Sequence, residues 1–134
     1  MDIEKILATY RHIAIAGISD NPERPSNSIA RYLMHAGYSI YPVNPSITEV
    51  FGMPCYPSLA SLPEEMRKNV EIVTIFRKPS DVMPIVDQAI EIGAKVIWMQ
   101  SGIVNEEARA KASGKGIDVV QNRCIAVEHQ RLRG

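Results

Sequence analysis

His12-Ile13-Ala14-Ile15-Ala16-Gly17-Ile18 is a near-continuous apolar run interrupted only by a late glycine. A strand of that kind is buried on both faces, and only helices packed on the two sides of a parallel sheet bury it so. Working outward, Ile3, Ile6, Leu7 and Tyr10 recur at helical spacing and predict a short helix before the strand. On the other side, Ser26 is expected to cap a helix that carries Ile29, Leu33 and Ala36 on one stripe and stops at Gly37. One strand and the helix that follows it are thus defined, and the rest of the chain repeats the pattern.

Ser39 to Pro45 reads as a second strand, with Pro42 lacking an amide donor at its centre. Ser46 to Pro63 has no helical period and holds Pro54, Pro57 and Pro63, so it reads as irregular with one short strand near Met53 to Tyr56 and a brief helix from Glu64 to Lys68 after it. Glu71 to Phe76 is a third strand rich in β-branched residues. Ser80 is taken as the cap of the next helix, whose stripe is Val82, Ile85, Val86, Ala89 and Ile90 and whose end is Gly93. Lys95 to Met99 is a fourth strand, Asn105 caps a helix opening with Glu106 and Glu107, Ile117 to Gln121 is a fifth strand, and Cys124 to Leu132 closes as a helix. Strands alternating with helices imply right-handed crossovers. The expected fold is α/β, Rossmann-like and doubly wound, a mainly parallel five-stranded sheet in the order 3-2-1-4-5 with helices on both faces.

The 134 residues suit one domain over residues 1–134, and 46% hydrophobic content supplies its core. Fifteen basic against 15 acidic side chains give a net charge of +0, without the positive field of a nucleic-acid or anionic-membrane binder. No stretch approaches a membrane span, and the acidic N-terminus lacks the apolar core of a secretory signal, so the cytoplasm is the expected location. Cys55 and Cys124 lie far apart with no CxxC pair, which argues against a disulfide framework or zinc.

Ligands of such sheets bind at the carboxyl ends of the strands. The tips here are Gly17-Ile18-Ser19, Asn44-Pro45, Arg77-Lys78-Pro79, Gln100-Ser101-Gly102 and Asn122-Arg123-Cys124: glycine, small polar and basic residues. Gly17 lets the backbone approach a phosphate, and Arg24 and Ser26 stand in the loop leading to the next helix. The dinucleotide fingerprint is absent, because Ser19 replaces its second glycine and Asn44-Pro45 stands where an NAD enzyme presents an acid to the ribose.

Taken in order, Gly17-x-Ser19, Arg24-x-Ser26, Gly37-Tyr38, Val43-Asn44-Pro45, Phe76-Arg77-x-Pro79, Gly93-Ala94-Lys95, Trp98-x-Gln100-x-Gly102 and Asn122-Arg123-Cys124 span nearly the whole chain. In these positions it resembles the stand-alone coenzyme A-binding domain proteins, whose domain also opens the succinyl-CoA synthetase α subunit and the ADP-forming acyl-CoA synthetases. The resemblance implies that coenzyme A is held with its pyrophosphate on Gly17, Ile18 and Ser19. Arg24 and Ser26 would add phosphate contacts, Asn44 and Pro45 would shape the ribose and adenine side, Arg77 and Pro79 would flank the adenine, and Gln100 to Gly102 would form the far wall. The synthetase subunits carry lysine where this chain has Ser46.

None of His12, His35 and His129 is placed beside a nucleophile in this reading, and the synthetase domain carrying the phosphorylated histidine has no counterpart. The leading expectation is therefore a binder of coenzyme A or an acyl-CoA with no catalytic residue or metal. The alternatives are an NAD(P)-binding oxidoreductase or sensor, and a non-catalytic subunit of a synthetase-like complex that needs a protein partner or a second copy. A redox variant has Cys55 or Cys124 form a mixed disulfide with the coenzyme A thiol.

Overall fold

The structure, a computed structural model, describes residues 1–133. In chain order its elements are α1 (Ile3–Thr9), β1 (His12–Ala16), α2 (Pro25–His35), β2 (Ser39–Val43), β3 (Glu49–Val50), β4 (Met53–Pro54), α3 (Glu64–Arg67), β5 (Ile72–Ile75), α4 (Val82–Glu91), β6 (Val96–Met99), α5 (Glu106–Ser113), β7 (Asp118–Val120) and α6 (Ile125–Arg133). The main sheet has five parallel strands in the order β2-β1-β5-β6-β7. Side chains alternate between two cores. Ala14, Val73 and Ile97 pack with Val86 of α4 and Ala112 of α5 on one face. Ile13, Ile15 and Trp98 pack with Leu7 of α1, Leu33 of α2 and Ile125 of α6 on the other.

The doubly wound α/β fold is the expected one, but the strand order is not. Counting the five long strands along the chain, the order is 2-1-3-4-5, so the third strand adds beside the first and not outside the second. Pro42 supplies the reason. Its carbonyl faces outward and accepts the Tyr56 amide at 3.2 Å, so the amide it lacks would face outward too, where another strand would need it. The second strand is thereby an edge. Burial agrees: every residue of β5 and β6 is buried, whereas β2 is exposed at Ser39 and half-buried at Tyr41, and β7 is half-buried throughout.

Two expected caps move as well. Arg24 holds the cap position before α2 with no side-chain cap bond and Pro25 opens the first turn, which places Ser26 inside the helix. Ser80 lies in a 3-10 turn, Pro79–Asp81, and α4 springs from Asp81 with no side-chain cap. By contrast, Asn105 caps α5 as expected, its Oδ1 accepting the Ala108 amide at 2.9 Å. The irregular stretch holds a two-strand hairpin, β3 with β4, where one short strand was expected. Phe51 and Gly52 at its turn both have positive φ, 56° and 72°, the backbone of a tight hairpin turn.

Candidate functional site

From β1 the chain builds β2 on one side, then crosses back to lay β5 on the other. The crevice of this sheet therefore opens between the carboxyl ends of β1 and β5. The expected order would have put the tip of the fourth strand, Gln100, next to Gly17; the observed one puts Phe76-Arg77 there. The approach is close. A Cβ built on Gly17 would lie 2.7 Å from the Phe76 carbonyl oxygen and 2.9 Å from Arg77 Cδ, and φ at Gly17 is +95°. No other residue type serves at this point.

Two cavities meet at that junction, sharing Gly17 and Arg77. The larger, about 700 Å³, reaches Ser19, Arg24, Ser26, Gln100 and Cys124. The smaller, about 290 Å³, is walled by Val43, Pro45, Pro84 and Ile85 and closes against Gln88 of α4. The larger sets cations, hydroxyls and an amide among the apolar Pro25, Ile29, Phe76 and Ile103, while the smaller is mainly proline and aliphatic surface with Ser58, Ser80 and Asp81 among its lining. A ligand with a ring at one end, anionic groups at its middle and a polar chain beyond them matches that sequence of surfaces.

The loop after β1 is tied chiefly to the end of β2 and the start of α2. Gly17 and Ile18 donate their amides to the Val43 carbonyl at 2.8 and 3.4 Å. Ser19 donates its amide to Ser26 Oγ at 3.0 Å. The Ser19 hydroxyl accepts from the Asn21 amide, and its carbonyl accepts from Asn27 Nδ2. Asn44 braces the same corner: its Nδ2 donates to the Ile18 carbonyl at 2.6 Å, and its Oδ1 accepts the Ser46 amide at 2.8 Å. Both Asn44 side-chain functions are thereby engaged, Nδ2 in joining the tips of β1 and β2 and Oδ1 in the turn after β2. Among the described residues, Arg24 makes no ion pair or side-chain hydrogen bond, and Arg77 is held 3.7 Å from Asp81 in an exposed pair. Such a pair constrains little and leaves the guanidinium available to an anion.

Of the eleven residues expected at the site, Gly17, Ser19, Arg24, Ser26, Arg77 and Gln100 line the larger cavity, and Pro45 lines the smaller. Ile18 is fully buried and Asn44 is a brace. Pro79 accepts from Asn105 Nδ2 through its carbonyl, and Gly102 donates its amide to Asn122 Oδ1 at 2.7 Å; both are exposed, and none of these four lines either cavity. The smaller cavity's wall on α4, Pro84 with Ile85 and Gln88, was missed. Its residues lie on the same helix as the buried stripe, and only the position of β5 turns that part of α4 toward the crevice.

The two thiols differ. Cys55 is 7% exposed, and burial pushes its thiol above the ordinary value, partly offset by contact with the Asn44 carbonyl. Cys124 is half-buried on the wall of the larger cavity. No histidine borders either cavity. Among the described residues, no group of three or more His, Cys, Asp or Glu side chains could hold a metal ion, and no helix is long and apolar enough to cross a membrane.

Comparison with known proteins adds to the geometry. The family model described as "CoA binding domain" matches residues 11–130. The uncharacterized protein YneT of Bacillus subtilis is 37% identical over 128 residues, 96% of this chain and 92% of its own. A hypothetical protein from Pyrococcus horikoshii superposes with a TM-score of 0.92 at 46% identity, with 99% of this chain and 91% of that one covered. The ADP-forming acetate–CoA ligase I of Archaeoglobus fulgidus is 28% identical over 122 residues, which are 86% of this chain but 18% of the ligase.

Proposed function

The chain belongs to the CoA-binding domain family, and from that premise we propose that it binds coenzyme A or an acyl-CoA across the two joined cavities without catalysis of its own. The observation that carries this reading is the meeting, at Gly17 and Arg77, of a small cavity walled by proline and aliphatic side chains with a larger one that holds Arg24, Ser19, Ser26 and Gln100. The adenine lies between Pro45 and the Pro84-Ile85 surface, the phosphates lie against Arg77 and Arg24 beside the start of α2, and the pantetheine arm enters the larger cavity. Because the Gly17 to Ser19 amides are already engaged by Val43 of β2 and Ser26 of α2, phosphate binding rests on the arginines and on the clearance at Gly17, more than on a ring of loop amides. Asn44, Pro79, Gly102 and Ile18 hold the loops in place without touching the cofactor. The whole chain serves as one binding domain, and the absence of a histidine or a nucleophile–base pair at the cavity walls favours a binder over an enzyme.

Isothermal calorimetry with coenzyme A, dephospho-coenzyme A, NAD and NADP tests this. Coenzyme A is expected to bind at one site, and at 100 times its Kd to raise the unfolding free energy by about 2.7 kcal/mol. Binding of NADP without coenzyme A overturns the reading. A second reading, a detached subunit of a synthetase-like complex, is favoured by the ligase of which the matched region is 18%. It predicts that a partner chain is recovered from extract only when coenzyme A is present.

A further inference from the structure

The larger cavity ends at a feature that phosphate and adenine recognition leave unused. Gln100 is 4% exposed, and its Oε1 accepts the Ile125 amide at 3.0 Å where α6 begins. That bond fixes the carboxamide, because only the oxygen can receive an N–H, and it turns Nε2 the other way. Among the described residues Nε2 donates to no partner, and Gln100 lines the cavity. This donor opens onto the cavity, so an acceptor arriving there can take its hydrogen bond. The pantetheine arm of coenzyme A carries two amide carbonyls, which are such acceptors, and it ends in a thiol. Beside Gln100 on the same wall stands Cys124, the residue from which α6 springs, its carbonyl accepting the Glu128 amide at 3.0 Å. With the base in the small cavity and the phosphates at Gly17 and Arg77, the arm is the part that remains to fill the space toward Gln100 and Cys124.

We propose that Cys124 is a modification site that forms a reversible mixed disulfide with the thiol end of coenzyme A; this rests on the cofactor reading above. The co-reactant is the oxidised, disulfide form of coenzyme A. The Cys124 thiol gives its proton to solvent, and the thiolate attacks one sulfur of the cofactor disulfide. A Cys124–cofactor S–S bond forms, the cofactor's own S–S bond breaks, and the other half leaves as a thiolate that takes up a proton. One disulfide replaces another, so no further oxidant is needed, and excess reduced coenzyme A reverses the step. Cys55, buried and on neither cavity wall, takes no part.

The test incubates the protein with coenzyme A disulfide in the absence of reductant and reads intact mass, with peptide mapping of the adduct. The expected result is one coenzyme A added at Cys124, removed by dithiothreitol, unchanged in Cys55→Ser and absent in Cys124→Ser, whose fold is checked by its melting curve. Recognition is separated from simple thiol exposure by rate. Modification by coenzyme A disulfide should be faster than by cystamine by on the order of tenfold or more, since binding brings the reacting sulfurs together, and S-methyl coenzyme A should block it. Equal rates with cystamine, an adduct on Cys55, or no adduct in a protein that binds reduced coenzyme A by calorimetry overturns the proposal while leaving the cofactor reading in place. Failure of reduced coenzyme A itself to bind removes both.

Discussion

At the amino ends of β1 and β5, polar groups are engaged with one another. The Glu71 carboxylate accepts the Arg11 and His12 amides at 2.9 and 3.2 Å, His12 Nδ1 pairs with the Tyr41 hydroxyl at 2.8 Å, and the Arg11 guanidinium lies 5.1 Å from the centre of the Tyr38 ring. At the carboxyl ends of the same strands the backbone is braced as firmly, by Asn44 and Ser26, yet Arg24 and Gln100 Nε2 are left uncommitted beside two cavities. The difference shows what distinguishes a closing surface from a receptive one here. It is not looseness of the chain, since both ends are tied by side-chain bonds to backbone. It is whether the donors that remain face other protein groups or face space.

Gly17→Ala should break the contrast most severely. The added methyl meets the Phe76 carbonyl at a positive φ, so a loss of about 2–4 kcal/mol is expected from strain and overpacking together, read by urea unfolding, along with loss of coenzyme A binding in calorimetry. Arg77→Ala should act on binding alone. A charge-assisted contact to phosphate is worth about 1.5–3 kcal/mol, roughly a tenfold to hundredfold rise in Kd, while the melting temperature of the free protein stays nearly constant because the Asp81 pair is exposed.

Glu71→Ala is the reciprocal change at the other end. Two backbone amides lose their acceptor, so stability is expected to fall by about 1–2 kcal/mol with Kd for coenzyme A unchanged. The smallest effect is a pH dependence at the seam of α6 and α2. His129 Nδ1 lies 2.6 Å from the Tyr32 hydroxyl, and burial, then the nearby Arg133 and Arg11, lower its pKa from 6.5. The folded protein therefore favours the neutral ring. Its contribution is present in full above the ordinary histidine value and is lost as pH falls through the lowered one. Unfolding curves should show stability declining on acidification through this window, with the histidine component of that slope gone in His129→Phe.

All five long strands and the helices between them were legible as alternating apolar runs and helical stripes, because each is decided by a few neighbouring residues. Strand order was less so, since it depends on which edges can accept a neighbour. The clue was present in Pro42, and in the all-buried Ile72 to Ile75 run that belongs in the middle of a sheet. The site followed the same division. Gly17, Ser19, Arg24, Ser26, Pro45, Arg77 and Gln100 could be read at strand tips and line the cavities. Asn44 and Gly102 looked alike in sequence but are spent on bracing bonds, the one through its side chain and the other through its backbone amide, which depends on where the adjoining loops lie. The α4 wall was hidden for the reason that strand order was, because β5 positions α4.

Pro42 has a further consequence, for association between molecules. An exposed parallel edge with a full set of amides invites a strand from another chain to extend the sheet. On β2 the central donor is missing, and the neighbouring backbone groups, the Pro42 carbonyl and the Asn44 amide, are already taken by Tyr56 at 3.2 and 2.9 Å. The sheet is thus terminated on that side by covalent structure and by its own chain, so growth into fibrils from β2 is blocked without a charged side chain to guard it.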